Sequence, residues 1–205
     1  MIVDTHLLIS QILYKYISNK MNFKLDRLAF TYGNIKPDLN NKDINCSHTL
    51  DDSLDIVNRY SEDLMSRNMS IKEFSKRLGV ICHFGCDYFC LYHRGGNEKK
   101  GLCEHLLYEV ILHVKLLALL LKGKIKFNDY NMNENSLEAI VLKLQKKYNL
   151  ESESLKRDII NAIFAASQIA KLLVYSSQLY FKQNEIIISK KYQLSQVNGL
   201  GHKAI

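Results

Sequence analysis

Two pairs of the form His-x-x-x-acid, His83/Asp87 and His105/Glu109, stand in the stretch Ile81–Glu109, with His93 between them. On an α-helix, residues four apart share one face, their Cβ atoms about 6 Å apart. Each pair can therefore aim an imidazole and a carboxylate at one ion, a ligand mix that zinc accepts. One such pair is ordinarily a surface pair or a satisfied core histidine; two pairs with a third His between them are not ordinary. Arg94–Gly101 (RGGNEKKG) is too rich in glycine and charge to continue a helix. The stretch predicts two ligand-bearing helices joined by a flexible loop that carries His93 near its start.

The rest of the chain offers such helices a setting. Apolar residues recur at helical spacing and no alternating pattern repeats, so the reading is all-α: one domain over residues 1–205, with about seven helices. A first helix, capped by Asp4 and Thr5, runs to about Ser18. A second spans about Leu25 to Tyr32 and stops at Gly33, a residue suited to a helix C-terminus. The only proline falls in Asn34–Asn45, read as an irregular loop holding Asp38. A third helix follows Cys46–Thr49, with His48 at its entrance. Ser70-Ile-Lys-Glu73 is a capping box that opens a fourth, reaching about Tyr92. A fifth runs from Leu102 to Leu121; its apolar part, Val110–Leu121, reads as a buried helix. Helices over 136–190 complete the domain, Glu185–Ser189 fitting a helix extension or a short strand. The tail over 198–205 is expected to fray.

Length and composition exclude several classes. With 205 residues the chain can bury a real core. The apolar run of the fifth helix is interrupted by His113 and Lys115 and is shorter than the roughly 18 residues of a membrane span. The opening MIVDTHLLIS has no basic segment ahead of an apolar run, which argues against a signal peptide and for a cytoplasmic location. Five cysteines are then expected as reduced thiols. Cys82, Cys86 and Cys90, spaced i, i+4, i+8, read as small core packers on one stripe of a helix. The net charge of +7 is scattered and forms no nucleic-acid face, though it would favour anionic substrates or lipid headgroups.

Histidines at 6, 48, 83, 93 and 105, with Asp38, Asp87 and Glu109, are too many ligands for one tetrahedral zinc. They suit two or three ions sharing a bridging carboxylate. Ions roughly 3.5–4 Å apart can clamp the attacking and leaving oxygens of a phosphate ester, and they bring the pKa of bound water toward about 7. The order His6, Pro37-Asp38, Ser47-His48, His83-x-x-x-Asp87, His93, His105-x-x-x-Glu109 resembles the bacterial zinc-dependent phospholipases C. CHFGCDYFCLYH followed by HLLYE is similar to that family's signature region, and the resemblance covers residues 5–112.

The resemblance implies a metal-dependent phosphodiester hydrolase with a three-zinc site and no protein nucleophile, hydroxide generated at the ions attacking phosphorus. It implies that Asp38, His48, His83 and Asp87 hold a first ion and that His93, His105 and Glu109 hold a second. His6 would hold a third, with Asp87 as the bridge. Asp38 would also orient or deprotonate the attacking water. In the family an N-terminal Trp completes the third ion, whereas this chain has no Trp; the α-amine of Met1 or the carboxylate of Asp4 are the substitutes it offers. The implied partner is a phosphodiester such as a phospholipid headgroup linkage, with a membrane surface as its setting and nucleic acid second. Secreted zinc nucleases share this ligand order, but their last pair is HxxxD rather than HxxxE, and a zinc-binding domain without activity is a third reading. His113 reads as support behind His105/Glu109, and His202 as incidental. Tyr88, Phe89 and Tyr92 fit either a headgroup pocket or the core.

Overall fold

A computed structural model describes residues 1–39, 44, 46–93, 101–127 and 133–185, with only the backbone at 102. Seven α-helices form it: α1 (Val3–Lys20), α2 (Arg27–Leu39), α3 (Leu50–Ser66), α4 (Ile71–Asp87), α5 (Leu102–Leu121), α6 (Leu137–Leu150) and α7 (Leu155–Tyr175). A 3-10 turn, Leu91–His93, follows α4, and residues 178–185 are helical as well. No strand occurs among the described residues. The fold is all-α, as expected. Arg94–Lys100, most of Glu185–Ser189 and the tail lie outside the described residues.

α4 is the helix around which the others pack. Ser70 caps it, its Oγ accepting from the Glu73 N–H at 3.2 Å, which satisfies one of the orphan donors of the first turn. Arg77 then joins α4 to α3 through Asp63 at 2.7 Å. From Leu78 to Asp87 every residue of α4 is buried, because α2, α3 and α7 pack around it. Cys82 and Cys86 lie against α7, their thiols directed at the carbonyls of Ala166 and Ala162. Burial pushes both thiols up, as it does Cys90, and Cys82 and Cys86 are packing residues rather than reactive ones. α6 and α7 are capped by Ser136 and Ser154. α7 is long and apolar enough to cross a membrane by composition, yet most of it is buried within the protein.

The structure departs from the sequence reading in four places. α1 begins at Val3 with Ile2 at its N-cap and no side-chain cap; Asp4 sits exposed in the first turn. α2 does not stop at Gly33. Asp26 Oδ1 accepts from the Ala29 N–H at its start, and the helix runs through Gly33 and Pro37 to Leu39, so Asp38 is helical rather than in a loop. Gly33 serves helix contact instead of termination: a Cβ there would lie 2.0 Å from the Lys76 carbonyl oxygen, and one on Gly79 2.3 Å from the Phe30 carbonyl oxygen. α4 ends at Asp87, the remaining residues to His93 forming turns. Finally, α5 is buried on one side only. Leu112, Leu116 and Leu119 face the core, while Leu107, Val114 and Leu121 stand 60%, 59% and 89% exposed. Its partners are α7 and α1, and nothing among the described elements packs on its outer side.

Candidate metal centre

Asp87, the last residue of α4, is fully buried and surrounded by nitrogen. Its Oδ2 lies 3.0 Å from His48 Nδ1 and 3.2 Å from His83 Nε2. Its Oδ1 lies 3.2 Å from His6 Nε2 and 2.9 Å from the α-amine of Met1. Each carboxylate oxygen thus faces a different set of donors. Asp38, brought in by the last turn of α2, approaches His48 Nδ1 at 3.7 Å and His83 Nε2 at 3.6 Å.

The second His-acid pair builds a second group. His105 Nε2 lies 2.9 Å from Glu109 Oε1 on α5, and His93 Nε2 lies 3.3 Å from the same oxygen. The 3-10 turn that ends in His93 makes this meeting feasible, because it carries the chain from α4 toward α5. The Met1 α-amine stands between the two groups, 3.0 Å from His93 Nε2 and 3.1 Å from Glu109 Oε1. Eight of the nominated ligands and Met1 therefore converge. Asp4, exposed on the outer side of α1, stands apart from them.

Several features show that this donor set suits cations. His6 is fully buried, its ring stacked on His83 with centroids 3.8 Å apart. Its Nδ1 has no hydrogen-bond partner and its Nε2 meets only Asp87 Oδ1 at 3.2 Å, an expensive arrangement for buried polar atoms. His83 donates Nδ1–H to the Asn34 carbonyl at 2.8 Å, which leaves Nε2 as a lone pair pointing at Asp38, Asp87 and His48. A backbone carbonyl that fixes the tautomer of an imidazole in this way is the support a metal ligand ordinarily has. His83 Nε2 and His48 Nδ1 are 3.3 Å apart and both border Asp87 Oδ2, so one positive ion could be shared among the three. Triads of donor atoms within 4.8 Å of one another occur four times here, including His6/His83/Asp87, Asp38/His48/His83 and His48/Asp87/His93. The residues present fit zinc.

Electrostatics follow from burial and from the crowd of charges. Burial alone would raise Asp87, but the Met1 ammonium and then His93, His6 and His83 hold its carboxyl well below the usual range. Glu109 is likewise brought down to about 2 against the effect of burial, by its hydrogen bonds to His93 and to the α-amine. Burial lowers His6 to about 3, with the neighbouring His83 adding to the effect, and burial also lowers His93. It raises Asp38, whose side chain is 16% exposed at the edge of the cluster. The Met1 amine is desolvated, yet Asp87 and Glu109 push it up to about 12.

These shifts bound the stability of the metal-free protein on both sides. In the unfolded chain His6 takes up a proton near 6.5, whereas the folded protein refuses it down to about 3. Stability is therefore lost as pH falls below 6.5, by about 2 kcal/mol at pH 5 from this group. Asp87 and Glu109 add to the loss once the unfolded carboxylates protonate, and His48, raised by Asp87 against the effect of burial, opposes it. The α-amine acts the other way: its contribution is full below 8.0 and declines above it. Thermal melts in chelator across pH 4–9 should show a maximum between about 6.5 and 8. A maximum near pH 4 would contradict the burial of neutral His6.

Sequence reasoning missed four contributors. Asn34 acts through its carbonyl, which has no residue-type signature. Cys90 was assigned to packing alone, yet its sulfur lies within ligand distance of His93 and Glu109. Tyr108 accepts from the Leu91 N–H at 3.3 Å and donates to the buried Asp158, so it ties the His93 turn to α7. Asp158 is itself held by Tyr148 at 2.7 Å and Arg157 at 2.9 Å. Thr5 Oγ1 meets His113 Nδ1 at 3.1 Å, so His113 stands behind the cluster and not in it. Of the aromatic candidates, Tyr88 and Phe89 are fully buried core, and Tyr92 stacks on His105 with centroids 5.0 Å apart.

A family model for zinc-dependent phospholipase C matches residues 5–157, the span that contains every converging ligand except Met1. No curated protein and no solved structure matches the chain. The match covers well over half of the sequence. The chain belongs to the zinc-dependent phospholipase C family.

Proposed function

We propose that the chain hydrolyses the phosphodiester that joins a phospholipid headgroup to its glycerol, with two or three zinc ions held by the cluster. The observation that supports this most is Asp87, whose two oxygens face different donor sets and which therefore suits a shared, bridging carboxylate. Asp38, His48, His83 and Asp87 would hold one ion, and His93, His105 and Glu109 a second. His6, Asp87 and the α-amine of Met1 would serve a third. Zinc would supply positive charge for the phosphoryl oxygens and make hydroxide available at neutral pH.

The protein's own groups do the rest. Asn34 keeps the proton of His83 on Nδ1, so that Nε2 remains a donor atom. Asp38 stands at the edge of the cluster, where it can accept a proton from the attacking water as the new oxygen–phosphorus bond forms. The bond from phosphorus to the glycerol oxygen breaks as the new one forms, and that oxygen takes up the proton that Asp38 accepted from the water. Tyr92, stacked on His105, walls one side of the approach.

Elemental analysis of the purified protein should give two to three zinc ions per chain. Chelator should abolish hydrolysis of phosphatidylcholine, and Zn²⁺ should restore it. Hydrolysis of single-stranded DNA with no action on phosphatidylcholine would replace this reading with a nuclease. Bound zinc with no hydrolysis of either would leave a metal-stabilised domain.

A further inference from the structure

α5 is built inside out. Its polar row, His105, Glu109 and His113, points inward at the cluster and at Thr5. At 3.6 residues per turn, Leu106, Leu117, Val110, Leu121, Val114, Leu107 and Ile111 fall together on an arc of about 140° on the opposite side. All seven are more than two-fifths exposed, and no charged residue interrupts the arc. Soluble proteins rarely leave a contiguous apolar face of this kind to water, and such faces mark interaction sites.

We propose that this face of α5 seats the protein on an anionic phospholipid surface. Charge complementarity selects that occupant. Lys115 flanks the arc, Lys122, Lys124 and Lys126 follow at the end of the helix, and all four are exposed with no acidic partner among the described residues. Glu104 lies beside the arc at its other end, and Glu153 faces the same groove, so the lysines lie at the end of the helix away from these acids. An apolar helical face bordered by lysine is the pattern of helices that lie in the headgroup layer, and each lysine near such a surface adds attraction to anionic lipid. The face is also continuous with the site. A groove of about 440 Å³ opens between the arc and Tyr92, whose ring stacks on His105; Leu107, Ile111 and Leu155 line it together with the acids Glu104, Glu153 and Asp158. One helix would then enter the headgroup layer with its outer side and present metal ligands with its inner side. The inference rests on the proposed phospholipid reaction, and its test separates the two.

The zinc-loaded protein and a Val114→Glu/Leu117→Glu variant are compared in three measurements: co-sedimentation with vesicles, hydrolysis of a short-chain phosphatidylcholine below its micelle threshold, and light scattering of the free protein. A Val114→Ser/Leu117→Ser variant accompanies them in case the glutamates disturb folding. Vesicles of phosphatidylcholine with phosphatidylglycerol should bind the native protein about tenfold more tightly than pure phosphatidylcholine, and either variant should lose about tenfold. Short-chain hydrolysis should stay within about twofold, since both positions are on the surface. Unchanged vesicle binding in both variants overturns the inference. So does a native dimer that the variants convert to a monomer without any vesicle binding, because the face then joins two copies of the chain. Short-chain hydrolysis without vesicle binding overturns the docking face and leaves the reaction standing. Variant-sensitive vesicle binding without hydrolysis does the reverse.

Discussion

Asp87→Asn should lower phosphodiester hydrolysis by on the order of 10³-fold, roughly 4 kcal/mol of transition-state stabilisation. The change removes one charge and almost no volume, so it isolates the chemistry of the carboxylate. Asp87 presents Oδ1 to His6 and the α-amine and Oδ2 to His48 and His83. An amide keeps one oxygen and turns an N–H₂ toward the other pair of nitrogens. On that side it offers protons to donor atoms, and a shared ion loses its bridge. Zinc content should fall with the activity, by at least one ion per chain. The metal-free variant should also melt lower, because the buried α-amine loses its main counter-charge, and breaking a buried pair costs about 3–5 kcal/mol. Far-ultraviolet circular dichroism separates these effects, since helix content should survive at low temperature. Turnover near the native value, with zinc content unchanged, would show that the carboxylate is not shared.

The parts of the site that sequence could reveal are those in which residue type and helical spacing act together. His83/Asp87 and His105/Glu109 announce themselves because an i, i+4 pair shares a face whatever surrounds the helix. The Ser70 cap is legible for the same reason, as a local hydrogen bond with a local signature. What depended on distant neighbours was not legible. α5 carries leucines on its exposed side as well as at the buried positions Leu112, Leu116 and Leu119, so no reading of the helix alone could tell which leucines would find a partner. The Asn34 carbonyl that orients His83 is a backbone group, which every residue possesses. Gly33 is the sharpest case. Glycine near an apolar run ordinarily signals a helix end, and here it signals another helix.

That contact makes Gly33→Ala a second test with a large expected effect. Alanine is the better helix former by about 1 kcal/mol, so a purely local view predicts stabilisation of α2. The fold predicts the reverse. A Cβ at position 33 would stand 2.0 Å from the Lys76 carbonyl oxygen and 3.1 Å from the Gly79 Cα, and both are backbone atoms of α4 that cannot turn aside. The helices would have to part, and overpacking of this kind costs about 1–3 kcal/mol beyond the lost propensity gain. Chemical denaturation should therefore show a lower midpoint. Separation of α2 from α4 also pulls at the site, because Asn34 and Asp38 ride on α2 while His83 and Asp87 ride on α4. The His83 Nδ1 bond to Asn34, 2.8 Å in the native protein, spans that same junction. Zinc affinity should accordingly weaken together with stability, although no ligand has been changed. Reduced stability with native zinc affinity would mean that α2 shifts elsewhere along its length. A gain in stability would mean that the close crossing of Gly33 and Gly79 does not set the distance between the two helices.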